Sequence, residues 1–317
     1  MIDINLIRNN KEIVKENIKK KFQDEKLPLV DEIFLLDKKL RELKTSGDEL
    51  RQKRNKTSDE IGLLFREKKQ DEANVLKEEV VKINEKLGEI EKEEETLGEQ
   101  IKEKMMVIPN IIDDSVPIGK DDSCNVEIEK FGEPIVPSYE IPYHADICER
   151  LSGLDKESAG RTSGNGFYYL MGDIARLHSA MLSYARDFMI NKGFKYCVPP
   201  FMIRSDVVNG VMSFEEMDAM MYKIEDEDLY LIGTSEHSMI GKFKGQIVKE
   251  DELPIALTSY SPCFRKEVGA HGLEERGLYR VHQFEKQEMV VLCKPEEAMD
   301  WYNKMWSYTV EFFRSLD

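Results

Sequence analysis

"FRKEVGAHGLEERGLYRVHQFEKQE", residues Phe264 to Glu288, gathers three arginines, two histidines and five glutamates between two strand-like runs. Upstream lies "IALTSYSPCFRKE" (255–267), downstream "LYRVHQFEKQEMVVL" (278–292), and the glycine-containing loop between them predicts an antiparallel strand pair. If Tyr279 to Leu292 is a strand, period two puts Arg280, His282, Phe284, Lys286 and Glu288 on one face. The partner strand puts Cys263, Arg265 and Glu267 on one face in the same way. A guanidinium, an aromatic ring and a carboxylate on one concave surface suit an activated acyl nucleotide. Arg265 would hold a phosphate by paired hydrogen bonds, Phe284 would stack on a base, and Glu288 would take an ammonium group. A charged hairpin whose Arg and Glu residues pair with each other fits the same pattern, and pattern alone leaves both readings open.

The flanking sequence sets the fold class. "GNGFYYL" reads as a strand and "GDIARLHSAMLSYARDFMINKG" as an amphipathic helix running to a stop at Gly193. "FKYCVPPFMIR" reads as a strand interrupted by Pro199 and Pro200, and proline, lacking a ladder donor, confines it to an edge or an interface. "DLYLIGTSEHSMIGKFKGQI" is strand, turn and helix, and "PEEAMDWYNKMWSYTVEFFRSL" is a helix. An antiparallel sheet with helices beside it is expected, an α+β core. Common nucleotide loops are excluded. Gly241-Lys242 lacks the Gly and Ser/Thr of a P-loop, since Glu236 and Phe243 occupy those positions, and no G-x-G-x-x-G follows a strand.

Ahead of the core, Leu36, Leu40, Leu43, Gly47, Leu50, Arg54, Thr57, Ile61 and Leu64 follow alternating steps of four and three. Leu76, Val80, Ile83, Leu87, Ile90, Glu94, Leu97 and Ile101 do the same. Two heptad helices joined by the short "FREKKQDEAN" must fold back as an antiparallel coiled-coil hairpin, each arm on the order of 40 Å long. Residues 38–69 hold 11 Lys/Arg against 6 Asp/Glu, while 70–104 hold 6 against 12. One arm is therefore basic. Its charges either pair across the hairpin or present a phosphate-binding lever. Five prolines between Pro109 and Pro142 mark the following stretch as a linker.

The whole chain of 317 residues carries a formal net charge of −16, which argues against nucleic-acid binding by its whole surface and leaves room for a local basic patch. No apolar run reaches the roughly 20 residues of a membrane span, and "MIDINLIRNN" lacks the layout of a signal peptide, so a cytoplasmic location without membrane attachment is expected. The five cysteines are scattered without a C-x-x-C pair, which indicates neither a disulfide framework nor a zinc site.

"TSYSPCFRKE", "RGLYRVHQFEKQEMV" and the upstream "GTSEHS" resemble motif 2 and the Thr-x-Glu serine loop of seryl-tRNA synthetases, which are class II aminoacyl-tRNA synthetases. The hairpin resembles that family's tRNA-binding arm, "MMVIPNII" its arm-to-core junction, and the helix before "GFKYCVPPFMIR" its motif 1. The resemblance covers the chain almost end to end. Its most specific part is the spacing of Arg265, Glu267, Arg280, Phe284 and Glu288. It implies a helical arm at 1–105, a linker at 106–143 and a partial class II catalytic domain at 144–317.

The resemblance further implies a serine-tRNA ligase, forming seryl-adenylate from L-serine and ATP with Mg2+ and passing serine to tRNA(Ser). Arg265 would grip the α-phosphate and Arg280 would lie near phosphate. Glu267 would meet the adenine end, the Val281 backbone would help hold the adenine, and Phe284 would stack on it. Thr234, Ser235 and Glu236 correspond to the Thr-x-Glu serine loop, with Ser235 where alanine is more usual, and Glu288 would meet the serine ammonium. A homodimer through the motif 1 region is implied as well. Members of the family continue for roughly a quarter of their length beyond the point matching Asp317, with motif 3 and the ligands for magnesium and ATP. By that reading this sequence is truncated, it holds no metal ligands as written, and little activity is expected of it alone. The rival readings are a non-catalytic paralogue that binds tRNA or a partner, and a carrier-protein amino-acid ligase, against which the hairpin counts.

Overall fold

The computed structural model describes residues 2–212, 217, 219–267 and 278–316. The expected loop at 268–277 lies outside the described residues. The chain divides into two compact units, Met1–Glu133 and Pro134–Asp317.

In the first unit, α1 (Ile4–Lys20) begins at Asp3, whose carboxylate accepts from the Asn5 amide at 2.8 Å, a standard N-cap. Helix α2 (Leu27–Arg66) starts with Pro28 in its first turn, and α3 (Gln70–Met106) returns after a turn in which Lys68 takes φ +62°. At 1.5 Å per residue their 40 and 37 residues span about 60 and 55 Å. These are longer than the heptad reading anticipated, because both helices run past the seam into a three-helix base. That base buries Ile7, Val14 and Ile18 of α1 against Val30, Ile33, Ile101, Met105 and Ile108. Spacings of seven and four put the α1 residues on one stripe.

The seam lies where the heptads put it. Gly47, Thr57, Ile83, Leu87, Leu97 and Ile101 are buried, and the other expected seam positions are half-buried. Lys39–Glu93 (2.6 Å), Arg51–Glu91 (3.3 Å) and Lys53–Glu79 (2.7 Å) cross the hairpin. Part of the basic arm's charge therefore pairs internally. Lys44, Lys56, Arg66 and Lys68 form no ion pair among the described residues.

The base is locked by one buried carboxylate. Asp37, 1% exposed, accepts from Arg8 Nε (2.8 Å) and Nη2 (2.7 Å) and from Arg41 Nε (3.0 Å). The Arg8 hydrogen bonds, opposed in part by burial, hold its carboxyl below the usual carboxylate range.

In the second unit the elements run α4 (His144–Arg150), β1 (Leu154–Asp155), α5 (Lys156–Thr162), β2 (Tyr169–Leu170), α6 (Gly172–Asn191), β3 (Lys195–Tyr196), β4 (Met202–Ile203) and α7 (Ser205–Val208). There follow β5 (Tyr230–Leu231), α8 (Ser235–Gly241), β6 (Ile255–Phe264), β7 (Gln283–Leu292) and α9 (Ala298–Arg314). Strands β6 and β7 pair antiparallel over ten residues each, from Ile255↔Leu292 to Phe264↔Gln283. The α+β class holds, with three departures from the expected strands. First, β3 joins β6 in parallel, Lys195↔Leu257, which makes the central sheet β3-β6-β7 mixed. Second, "FKYCVPPFMIR" splits into β3 and β4 around the two prolines, which cannot donate to a ladder. Third, β7 starts at Gln283, so Arg280, Val281 and His282 precede the strand.

One face of the β6–β7 ladder, with Tyr260 and Glu285, packs on α6, where Glu285 meets both His178 and the Tyr260 hydroxyl. The opposite face packs on α8 through Met239, Leu257 and Val290. Gly193 takes φ +92° at the end of α6, the left-handed stop expected of it.

Replacing Asp37 by Ala deletes the acceptor of three hydrogen bonds from Arg8 and Arg41, both of which stay in reach of water, and should cost about 1–2 kcal/mol in urea unfolding. Because the folded carboxyl sits below its ordinary value, this stabilisation is complete above about pH 4 and disappears as the pH falls further. The acid limb of the stability curve should accordingly be shallower in Asp37→Asn.

Candidate nucleotide and amino-acid site

The register of β6 and β7 decides which side chains meet. Cys263↔Phe284, Ser261↔Lys286 and Ser259↔Glu288 stand directly opposite and share the α8 face. Ser259, Ser261 and Cys263 are fully buried small residues. They form a floor, over which the longer side chains of β7 stand half-buried.

At one end of this row lies Arg265, one residue past β6. Its Nε donates to the Gly233 carbonyl at 3.2 Å, and its guanidinium carbon stands 5.2 Å from the Phe284 ring centroid. Cation and ring are thereby held together. Glu267 follows with φ +46° and lies 3.8 Å from Arg280, outside the strand but still paired across its end. Val281 is buried.

At the other end, Thr234 caps α8 through its hydroxyl, which also donates to Glu288 Oε2 at 2.9 Å. Lys286 Nζ reaches the same oxygen at 2.5 Å. Thr258 Oγ1 donates to the Glu288 carbonyl at 2.8 Å and ties the strand beneath it. The structure thus joins Thr234 to Glu288 and Arg265 to Phe284 on one sheet face. Glu236 stands apart: it is exposed, and its carboxylate makes no hydrogen bond among the described residues. Ser235 is fully buried, and its Oγ has no partner among them.

Sequence reading assigned no role to three groups at this site. Lys286 shared the predicted face, but its pairing with Glu288 follows from side-chain reach rather than periodicity. Gly233 acts through its carbonyl, which no residue pattern reveals. His237, 7% exposed, sits on α8 with Nδ1 unpartnered among the described residues. Burial first, then the positive charges of Arg265 and Lys286, lower its pKa to about 4, against an opposing pull from Glu288. A neutral imidazole therefore stands beside two cations and a carboxylate.

Comparisons with known proteins agree on one family. Residues 1–112 match the seryl-tRNA synthetase N-terminal domain, and residues 222–317 match the class II tRNA synthetase core domain (G, H, P, S and T). The serine-tRNA ligase of Methanoculleus marisnigri is 38% identical over all of this chain and 74% of its own length. That of Thermococcus sibiricus is 40% identical over the same shares. Among solved structures, the seryl-tRNA synthetase of Pyrococcus horikoshii complexed with ATP aligns with a TM-score of 0.86 at 38% identity, over 99% of this chain and 74% of that one. The cytoplasmic serine-tRNA ligase of Naegleria fowleri in complex with AMP gives 0.81 at 28% identity, over 100% and 76%.

Since His237 is held well below its ordinary 6.5, the unfolded chain takes up this proton first as the pH falls. Unfolding free energy should decline between about pH 6.5 and about pH 4. Thermal melts across that window should show the decline in the wild type and its loss in His237→Met.

Proposed function

Because this chain belongs to the seryl-tRNA synthetase family, we propose that the α8 face of β6 and β7 binds ATP and L-serine for adenylate formation, and that the hairpin delivers tRNA(Ser). The observation that carries this reading is the adjacency of two clusters on one face: Arg265 with Phe284, and Thr234 with Glu288 and Lys286. One suits a nucleotide and the other an amino acid.

Arg265 uses Nε on Gly233 and keeps its two Nη nitrogens, unbonded among the described residues, for the α-phosphate. Phe284 stacks on the adenine, Glu267 and the Val281 backbone meet its edge, and Arg280 stands by the phosphates. Thr234, Glu236 and Glu288 receive serine, with Ser235 as the buried spacer between the first two. The Lys286 ammonium on Glu288 Oε2 marks where that carboxylate accepts a cationic nitrogen, the role assigned here to the serine ammonium. No side chain acts as nucleophile. The serine carboxylate attacks the α-phosphate and pyrophosphate leaves; the tRNA ribose hydroxyl then attacks the adenylate carbonyl and AMP leaves. Proximity and a fixed positive charge carry both steps. Magnesium would enter with the ATP phosphates, but among the described residues no group of three or more His, Cys, Asp or Glu converges to hold it, and no step here passes through it.

The arm at 1–105, the linker at 106–143 and the catalytic region at 144–317 divide these tasks. The exposed Leu177, Met181 and Tyr184 on α6 support a homodimer built on that helix and the proline-broken strands after it. Among the described residues no helix is long and apolar enough to cross a membrane, and a cytoplasmic location suits tRNA chemistry.

Serine-dependent exchange of pyrophosphate into ATP, measured on the chain extended to the full length of its relatives, tests the site. Arg265→Ala should lower that exchange by about 100-fold or more, as removal of one preorganised charged donor does. Glu288→Ala should raise the KM for serine far more than that for ATP. Binding of tRNA without exchange would instead point to a non-catalytic module.

For the arm, changing Lys44, Lys56, Arg66 and Lys68 together to Glu should weaken tRNA(Ser) binding and flatten its salt dependence, the logarithmic slope falling by roughly one for each phosphate no longer neutralised. Sedimentation at micromolar concentration should show a dimer in both forms. Unchanged affinity would show that these four charges do not bind tRNA and would defeat the reading of the arm as a phosphate-binding lever.

A further inference from the structure

We propose that His282 is a positioning residue for Arg265, supplying from its ring a hydrogen bond that its own amide has given elsewhere. The proposal rests on the reading of Arg265 as the phosphate contact.

Beyond the last paired residues, Phe264↔Gln283, the ladder's next pair is Arg265 and His282. The Arg265 amide donates to the His282 carbonyl at 2.9 Å, which marks this as a hydrogen-bonded pair. Such a pair ordinarily exchanges two bonds, the second running from the amide of 282 to the carbonyl of 265. Here that amide donates instead to the Gly166 carbonyl at 2.9 Å. The return bond comes from the side chain: His282 Nδ1 lies 2.9 Å from the Arg265 carbonyl oxygen. A carbonyl only accepts, so Nδ1 carries the hydrogen. The Tyr222 hydroxyl, 3.1 Å from the same nitrogen, is a second acceptor for it.

His282 thereby serves two segments at once. Its backbone holds the loop at Gly166, and its ring keeps Arg265 in the ladder although the strand has ended. The loop is shaped for this. Gly166 takes φ +82°, and a Cβ there would lie 2.5 Å from His282 Cδ2, so only glycine lets the loop lie against the ring. The Phe167 ring packs on the imidazole at 5.2 Å between centroids. On the far side of Arg265, the Lys266 amide donates to the Met220 carbonyl at 2.9 Å. With its backbone held at 265 and 266 and its Nε on Gly233, the guanidinium has few directions left. A contact fixed before the ligand arrives needs no rearrangement on binding, which is the condition for electrostatic preorganisation.

The test is the affinity of the full chain for ATP and for adenosine, titrated separately by calorimetry. Wild type should bind ATP more tightly than adenosine, and Arg265→Ala should remove most of that difference, Arg280 keeping the remainder. Equal affinities in the wild type would overturn the reading of the site, and the inference with it. His282→Leu should weaken ATP binding by about tenfold, the scale of one charge-assisted hydrogen bond, and leave adenosine binding unchanged. His282→Asn should recover ATP affinity, because its Nδ2–H occupies the place of the ring Nδ1–H. His282→Gln, whose amide reaches further, should not. If Arg265→Ala removes most of the ATP preference while His282→Leu keeps full ATP affinity, the site reading stands and the positioning role falls. Loss of both affinities in His282→Leu and His282→Asn alike would mean a merely structural histidine and would overturn the proposal as well.

Discussion

The antiparallel ladder between β6 and β7 is the constraint on which the candidate site depends. A shift of one residue would move Phe284, Lys286 and Glu288 to the α6 face and bring Glu285 and Gln287 over the serine floor. The register is pinned from both sides. Leu257 and Val290 are buried against Met239 on one face, while Tyr260 and His178 converge on Glu285 on the other. Thr258 fastens the middle by donating to the Glu288 carbonyl. Alternate residues of β7 thus have separate tasks, one set holding the sheet and the other facing the proposed ligands.

Charge at this face is arranged by alternation and burial together. Glu288 pairs with the Lys286 ammonium, and Glu288 in turn is oriented by the Thr234 hydroxyl. His237 adds no charge, because burial and the two nearby cations keep it neutral.

The arm follows different physics. Its helices gain little from any single seam contact, since Gly47, Arg54, Thr57 and Glu94 interrupt the apolar repeat. Gly47 brings Ile90 and Glu94 close to its backbone, and the Glu94 Oε1 is buried there without a partner among the described residues. A long two-helix arm with such a seam relies on its base. There the packed isoleucines and the Arg8–Asp37–Arg41 cluster fix where the hairpin starts. Cross-hairpin ion pairs, exposed to water, contribute little each. They set which face of the basic arm stays unpaired.

Periodicity settled the elements of regular repeat. The heptad steps located the seam residue by residue, and period two placed Phe284, Lys286 and Glu288 together, because those patterns are properties of a helix and a strand wherever they lie. The motif spacing likewise pointed to the family. What sequence could not show are contacts made where repeats end. Arg265, Arg280 and His282 lie beyond the strands, so their neighbours depend on loops arriving from elsewhere, as Gly166, Tyr222 and Gly233 do. The base of the arm was equally hidden, since Asp37 reads as a surface residue until α1 brings Arg8 against it. The parallel strand β3 belongs to this class too: its partner lies some sixty residues onward, and only packing of the intervening chain decides the direction of their pairing.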